Sequence, residues 1–389
     1  MNNFIFQNAT KIYFGENQLG HLGEELKRYG TRVLLAYGGG SIIRTGLYDH
    51  VMVELKQAEM SIFELSGIEP NPRHTTVNKG ADICKKENID VVLAVGGGST
   101  IDCAKAIAAA AFYDGDSWDL VTHKAPVAKA LPILTVLTLA ATGSEMDSGG
   151  VISNVETHEK YGLIHPLLLP KVSFLDPSNT YTVNAFQTAC GSADILSHIF
   201  DVSYFTAAEK LEMVDRVMET VIKTVIDFAP LAISEPRNYK ARANLMWAAS
   251  WALNGFLQTG TSQAASCHAM EHELSAFYDI THGLGLAILT PRWMEYILDT
   301  STAPQFKKFG VNIFGVDASL PELEGAKRGI AALSDFLFGT LGLQRTLTEI
   351  GIDDANFKAM AENACRGGVM QGFKPLTPRD VENIFRMCL

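Results

Sequence analysis

Two short aliphatic runs, residues 31–37 and 91–95, each stop at three consecutive glycines, Gly38-Gly39-Gly40 and Gly96-Gly97-Gly98, and a helical pattern follows each. Strand, glycine turn and helix in succession are the grammar of a parallel sheet with right-handed crossovers. They confine the first half of the chain to an α/β architecture. The same alternation continues through helical patterns at 47–58, 75–86 and 100–112 and strand patterns at 61–65 and 132–138. After about Tyr181 strand-like runs vanish and long helical patterns take over, at 207–228 and 239–257. Thr377-Pro378-Arg379-Asp380 predicts a last helix, with Thr377 as its cap and Pro378 in the first turn. At 389 residues the chain is too long for one small core. The expectation is an α/β dinucleotide-binding domain over 1–181, Rossmann-like with a parallel sheet, and an all-α metal-binding domain over 182–389. The join falls at Asp176-Pro177-Ser178-Asn179-Thr180.

A glycine loop between strand and helix lets the backbone approach a pyrophosphate, which the positive end of the helix attracts. Gly97 and Gly98 fit that role, with Ser99 and Thr100 as further donors. The strict G-x-G-x-x-G spacing is absent, so the inference rests on two such loops in one alternating domain. A carboxylate at the end of the first strand would bond a ribose 2′-hydroxyl and repel a 2′-phosphate. Gly38, Gly39, Gly40 and Ser41 contain no acid; backbone amides and Ser41 would receive a phosphate, with Arg44 as a counter-charge. This points to NADP(H), with NAD possible.

The helical half carries Asp194-x-x-x-His198, then His268-Ala-Met-Glu-His272, then His282. Residues i and i+4 share a helix face, so Asp194 and His198 point together, as do His268 and His272. Five potential metal ligands crowd one stretch, four of them among the chain's ten histidines. A carboxylate with imidazoles suits a divalent ion such as Fe(II) or Zn(II). A set of core histidines bonded to carbonyls would have to hide too many polar rings.

Composition excludes several classes. Hydrophobic residues at 47% with 19% charged read as a globular enzyme. A net charge of −11 without Lys/Arg clusters argues against nucleic acid. The start, Met1-Asn2-Asn3-Phe4-Ile5-Phe6-Gln7, is unlike a signal peptide, and no long apolar run predicts a membrane span. Six scattered cysteines without C-x-x-C favour reduced thiols, hence a cytoplasmic protein.

Thr10-Lys11-Ile12-Tyr13-Phe14-Gly15, Gly96-Gly97-Gly98-Ser99, Ala141-Thr142-Gly143-Ser144-Glu145 and above all the segment from His268 to Gly283 resemble the iron-containing (group III) alcohol dehydrogenases. The butanol dehydrogenase branch fits best, and the resemblance covers nearly the whole chain. It implies a dehydroquinate synthase-like fold, a homodimer, and hydride transfer between a nicotinamide and a primary alcohol or aldehyde. It implies Asp194, His198, His268 and His282 as metal ligands, with His272 beside the nicotinamide as a proton relay and not a ligand. It places the pyrophosphate at Gly96 to Ser99, Thr138 and Thr142 near the ribose and nicotinamide, and Lys160 on the cofactor side. NAD-preferring members carry Asp at the position of Gly39. The chain departs from the family at Ala264 and Ala265, where an acid and a Trp are usual, and at Asn184, where Pro is usual.

Rival readings are an NAD-linked polyol dehydrogenase of the glycerol type, a dehydroquinate synthase, a metallohydrolase, and a non-catalytic nucleotide-binding protein. The metallohydrolase is weakened because His268-Ala-Met-Glu-His272 is not H-E-x-x-H.

Overall fold

The computed structural model describes residues 2–206, 211–261 and 265–389. It divides into two compact units, one of residues 7–183 with 236–250, the other of residues 1–6, 184–235 and 251–389. Two segments therefore cross the simple division expected at 181/182. The first residues group with the helical unit, and 236–250 groups with the α/β unit, where Arg242 Nε donates to the Pro236 carbonyl and Nη2 to that of Val183.

The α/β unit runs β1 (Lys11–Phe14), α1 (Leu22–Lys27), β2 (Arg32–Tyr37), α2 (Ser41–Arg44), α3 (Leu47–Gln57), β3 (Ser61–Leu65), α4 (His74–Lys86), β4 (Val91–Gly96), α5 (Gly98–Ala110), α6 (Ser117–Val121), β5 (Ile133–Leu137), β6 (Gly149–Asn154), β7 (Glu159–Ile164) and β8 (Val172–Leu175). Six strands form one parallel sheet in the order β1-β8-β5-β4-β2-β3, and β6 and β7 form a separate antiparallel hairpin. Alternate residues of the central strands feed two cores. Leu34, Ala36, Val92 and Ala94 face one, while Val33, Leu35, Val91 and Leu93 face the other. A sheet covered on both faces needs continuous apolar strands, which is why 31–37 and 91–95 read so clearly.

The chain leaves β2 toward β3 and leaves β4 toward β5, in opposite directions across the sheet. The carboxyl ends of β2 and β4 therefore flank the topological switch point, where open α/β sheets take ligands. Tyr37 pairs with Val95, so the two glycine loops leave the sheet at one level.

The helices that follow are α7 (Ala185–Ile199), α8 (Glu212–Ser234), α9 (Tyr239–Leu253, of which residues 239–250 belong to the α/β unit), α10 (Ser266–Tyr278), α11 (His282–Ile297), α12 (Ala303–Phe314), α13 (Glu322–Ser334), α14 (Phe357–Ala364) and α15 (Pro378–Met387), all but α9 lying wholly in the helical unit. A π-helical turn, Phe200–Tyr204, continues α7. Thr377 caps α15 in a full capping box with Asp380, as its sequence predicts. Asn184 caps α7 by accepting from Gln187 N at 2.8 Å. Residues 207–210, the expected start of α8, and Ala264 lie outside the described residues. Among the described residues no helix is long and apolar enough to cross a membrane.

Candidate active site

In the α/β unit, Gly38, Gly39 and Gly40 follow β2, and Gly97 and Gly98 open α5. Gly98 is required by contact, since a Cβ there would lie 2.4 Å from Thr142 Oγ1. Gly40 has φ +88°, a left-handed conformation suited to glycine. Nothing among the described residues lies within 4 Å of the Cβ position of Gly39, so a side chain there would meet open space. Ser41 and Arg44 are exposed, and Arg44 Nη1 lies 4.0 Å from the Cβ position of Gly40. The α5 N-terminus has no side-chain cap, which leaves its positive end to the loop and Ser99. Thr138 follows β5 and donates its backbone N–H to the Gly96 carbonyl at 3.0 Å, which brings it to the second glycine loop. Lys160, on β7, is buried and donates to Asn71 Oδ1 at 2.9 Å.

In the helical unit, α7 presents Asp194 and His198 on one face, α10 presents His268 and His272, and His282 opens α11. Donor atoms of Asp194, His268 and His282 lie within 4.8 Å of one another. Asp194 Oδ1 is 3.9 Å from His268 Nε2 and 3.8 Å from His282 Nε2. These separations are too long for hydrogen bonds and slightly wider than the roughly 3.4 Å between two ligands of one tetrahedral ion. His198 stands outside that trio but reaches it, with Nδ1 3.6 Å from Asp194 Oδ1 and its ring stacked on His268 at 4.6 Å. His272 is half-buried, with its ring 5.7 Å from that of His282.

A cation fits this donor set. Asp194, His198 and His268 are buried, yet His198 Nδ1 and His268 Nε2 have no hydrogen-bond partner among the described residues. Buried polar nitrogens left so cost free energy unless something binds them. Burial, then the neighbouring His268 and His282, hold the His198 imidazole well below its ordinary pKa, so it is neutral and its lone pair is available. Burial also pulls His268 down, but the hydrogen bond and charge of Asp201 prevail and raise it.

Two carboxylates were not picked out as site residues from the sequence. Asp201 Oδ2 lies 3.0 Å from His268 Nδ1, and Glu271 Oε2 is hydrogen-bonded to His282 Nδ1. Helical spacing could have found both, because Asp201 lies at i+7 from Asp194 and Glu271 at i+3 from His268. Ala265 is the N-cap of α10, two residues before Cys267 and three before His268, and makes no side-chain cap.

Comparison with known proteins identifies the family. The iron-containing alcohol dehydrogenase family matches residues 9–177, and the C-terminal family of Fe-containing alcohol dehydrogenases matches residues 188–389. The chain is 49% identical over 388 residues to NADH-dependent butanol dehydrogenase A of Clostridium acetobutylicum, covering 99% of each. It is 36% identical over 374 residues to the NADPH-dependent aldehyde reductase YqhD of Escherichia coli, covering 95% of each. The crystal structure of NADH-dependent butanol dehydrogenase A from Thermotoga maritima superposes with a TM-score of 0.94 at 40% identity, covering 100% of this chain and 99% of that one. The fold is thus the dehydroquinate synthase-like fold of these enzymes. The chain belongs to the iron-containing alcohol dehydrogenase family and is an oxidoreductase of that family.

Proposed function

We propose that this alcohol dehydrogenase is an NADP(H)-linked, divalent-metal-dependent enzyme that interconverts primary alcohols and aldehydes of about the size of butanol and butanal. The observation that carries the reading is the buried convergence of Asp194, His268 and His282 beside His198, with two imidazole nitrogens left without partners. Asp194, His198, His268 and His282 would hold the ion. When bound, Fe(II) or Zn(II) supplies a Lewis acid for the substrate oxygen, and the nicotinamide supplies or accepts the hydride.

The chain's own residues do the rest. Gly97, Gly98 and Ser99 bind the pyrophosphate at the α5 N-terminus, and Thr138, Thr142 and Lys160 orient the ribose and nicotinamide. His272 moves a proton between the substrate oxygen and solvent, a role supported by its half-exposure one helical turn from His268. Gly38, Gly39, Gly40 and Ser41 receive the adenosine end. The names of similar proteins include both NADH- and NADPH-dependent enzymes. What favours NADP(H) here is a loop without a carboxylate, open at Gly39, with exposed Arg44 beside Gly40.

All six cysteines are free and buried, which agrees with a reducing cytoplasm. The homodimer rests on family likeness alone, and sedimentation of the purified protein tests it. Metal analysis of that protein, combined with NADPH- and NADH-linked reduction of an aldehyde panel, tests the function. Turnover without a bound divalent ion, or no nicotinamide oxidation with any aldehyde, overturns it.

A further inference from the structure

Asp194, His198 and Asp201 follow one another at i, i+4 and i+7, and on α10 so do His268, Glu271, His272 and Ser275 at i, i+3, i+4 and i+7. Each helix thus presents a polar stripe in which a second carboxylate or carboxylate–hydroxyl pair accompanies the candidate ligands. Asp201 lies in the π-helical turn that ends α7, a local widening often found at functional sites. Its Oδ2 accepts the His268 backbone N–H at 2.9 Å and faces His268 Nδ1 at 3.0 Å. The N-cap of α10, Ala265, makes no side-chain cap, so Asp201 performs that service from 67 residues away. Glu271 acts on the first residue of α11 through its side chain alone. Its Oε2 meets His282 Nδ1, and its Oε1 receives the Ser275 hydroxyl at 2.5 Å. A Cβ at Gly285 would come within 2.8 Å of Glu271 Cγ and 3.0 Å of Oε1, so the space Glu271 occupies depends on glycine there.

Both carboxylates are almost fully buried, at 2% and 0% exposure, and a buried charge persists only where it is paired. A neutral imidazole carries one N–H. When that N–H is on Nδ1 and donates to a carboxylate, the Nε2 lone pair is left for a cation. In both rings Nε2 is the nitrogen that faces Asp194 Oδ1.

We infer that Asp201 and Glu271 are positioning residues of the metal centre, each fixing one imidazole, His268 or His282, with Nε2 turned to Asp194. The three ligand helices are thereby chained, α7 holding a ligand of α10 and α10 holding a ligand of α11. This inference rests on reading Asp194, His198, His268 and His282 as the ligands, and on that reading metal-orienting carboxylates act on affinity.

The test uses metal-stripped full-length protein, Zn(II) as the probe in competition with a chromophoric chelator, and Co(II) to report ligand geometry in its visible spectrum. Glu271→Gln and Asp201→Asn keep size and an acceptor oxygen, so both should remain folded. Each should weaken Zn(II) by about ten- to a hundredfold and change the Co(II) spectrum, while the melting temperature of the metal-free protein changes little. Ser275→Ala should weaken Zn(II) by a smaller factor through Glu271, and it decides the Glu271 arm should Glu271→Gln not fold. Asp201→Glu keeps the charge but displaces the carboxylate by one methylene from His268, so it too should weaken Zn(II), and it decides the Asp201 arm should Asp201→Asn not fold. Wild-type protein that binds no Zn(II), or His268→Ala that binds it normally, overturns the ligand reading itself. Wild-type binding lost in His268→Ala but retained within twofold, with an unchanged Co(II) spectrum, in the Glu271 and Asp201 variants overturns this inference alone.

Discussion

Gly283 sets the distance between the two helices that carry the proposed ligands Asp194 and His282, and adding one methyl group there should dismantle the proposed metal centre. A Cβ at Gly283 would lie 2.1 Å from the Cys190 carbonyl oxygen, 2.6 Å from its carbon and 3.0 Å from its Cα. These are backbone atoms of α7, so no side chain can swing aside. Ordinary contact begins near 3.4 Å, and α11 must retreat from α7 by roughly 1 Å to reach it. The retreat falls on the residue next to His282, whose Nε2 is 3.8 Å from Asp194 Oδ1, one turn along α7 from Cys190. Two ligands of one ion with bonds of about 2.1 Å can be no more than about 4.2 Å apart, even in a straight line. A further 1 Å therefore takes His282 out of reach. Gly283→Ala should lose at least the ten- to hundredfold in metal affinity that misorienting a ligand costs, and about 1–3 kcal/mol of stability from overpacking. Metal content by mass spectrometry, Zn(II) affinity by competition and the melting temperature measure both effects. A variant with one tightly bound ion and wild-type melting would refute the argument from helix spacing.

Other consequences follow from single residues. Gly39→Asp should leave folding unchanged, because the Cβ position is open, and should reverse a preference for NADPH into one for NADH; kcat/KM for the two coenzymes reads this, and an unchanged ratio means that the adenosine end is recognised elsewhere. His272→Ala should retain the ion while turnover falls about a hundred- to ten-thousandfold, and normal turnover removes it from the proton path. Burial pushes the Glu145 carboxyl up to about 7 from 4.5, so the folded chain keeps a proton that the unfolded chain loses. That stabilisation is complete below pH 4.5, is lost as pH rises to about 7, and amounts to on the order of 3 kcal/mol. Glu145→Gln should flatten this part of the stability–pH curve, measured by denaturant titration, and an unchanged slope would contradict the burial argument.

The parts of the fold that were legible are those with strong local patterns. β2 and β4 are buried on both faces and run directly into glycine loops, so their sequences are uniform and sharply bounded. β1 and β8 have only four residues each, and β1 is a partly exposed edge strand, so neither gives a periodic signal. The β6–β7 hairpin was missed as well, since its alternation is interrupted by Gly149, Gly150 and Gly162. In the site, Asp194, His198, His268 and His272 stood out because i, i+4 spacing is local. Asp201 and Glu271 did not, because a carboxylate on a helix reads equally well as a solvated face. What distinguishes them is the ring each one meets, His268 across 67 residues and His282 across 11. That information is tertiary. The exchange of 236–250 into the α/β unit has the same origin, since the helical pattern at α9 does not say which core it joins.

Asp194 and its histidines are proposed to hold one divalent ion on which nicotinamide-linked aldehyde reduction depends. The most direct test is to strip the protein with a chelator under anaerobic conditions and titrate Fe(II) or Zn(II) back, following NADPH oxidation with butanal as the acceptor. Activity should return in proportion to metal and saturate at one ion per chain, and Asp194→Ala should recover neither the ion nor the rate. Turnover by the stripped protein, or full recovery of metal and rate in Asp194→Ala, would contradict the account.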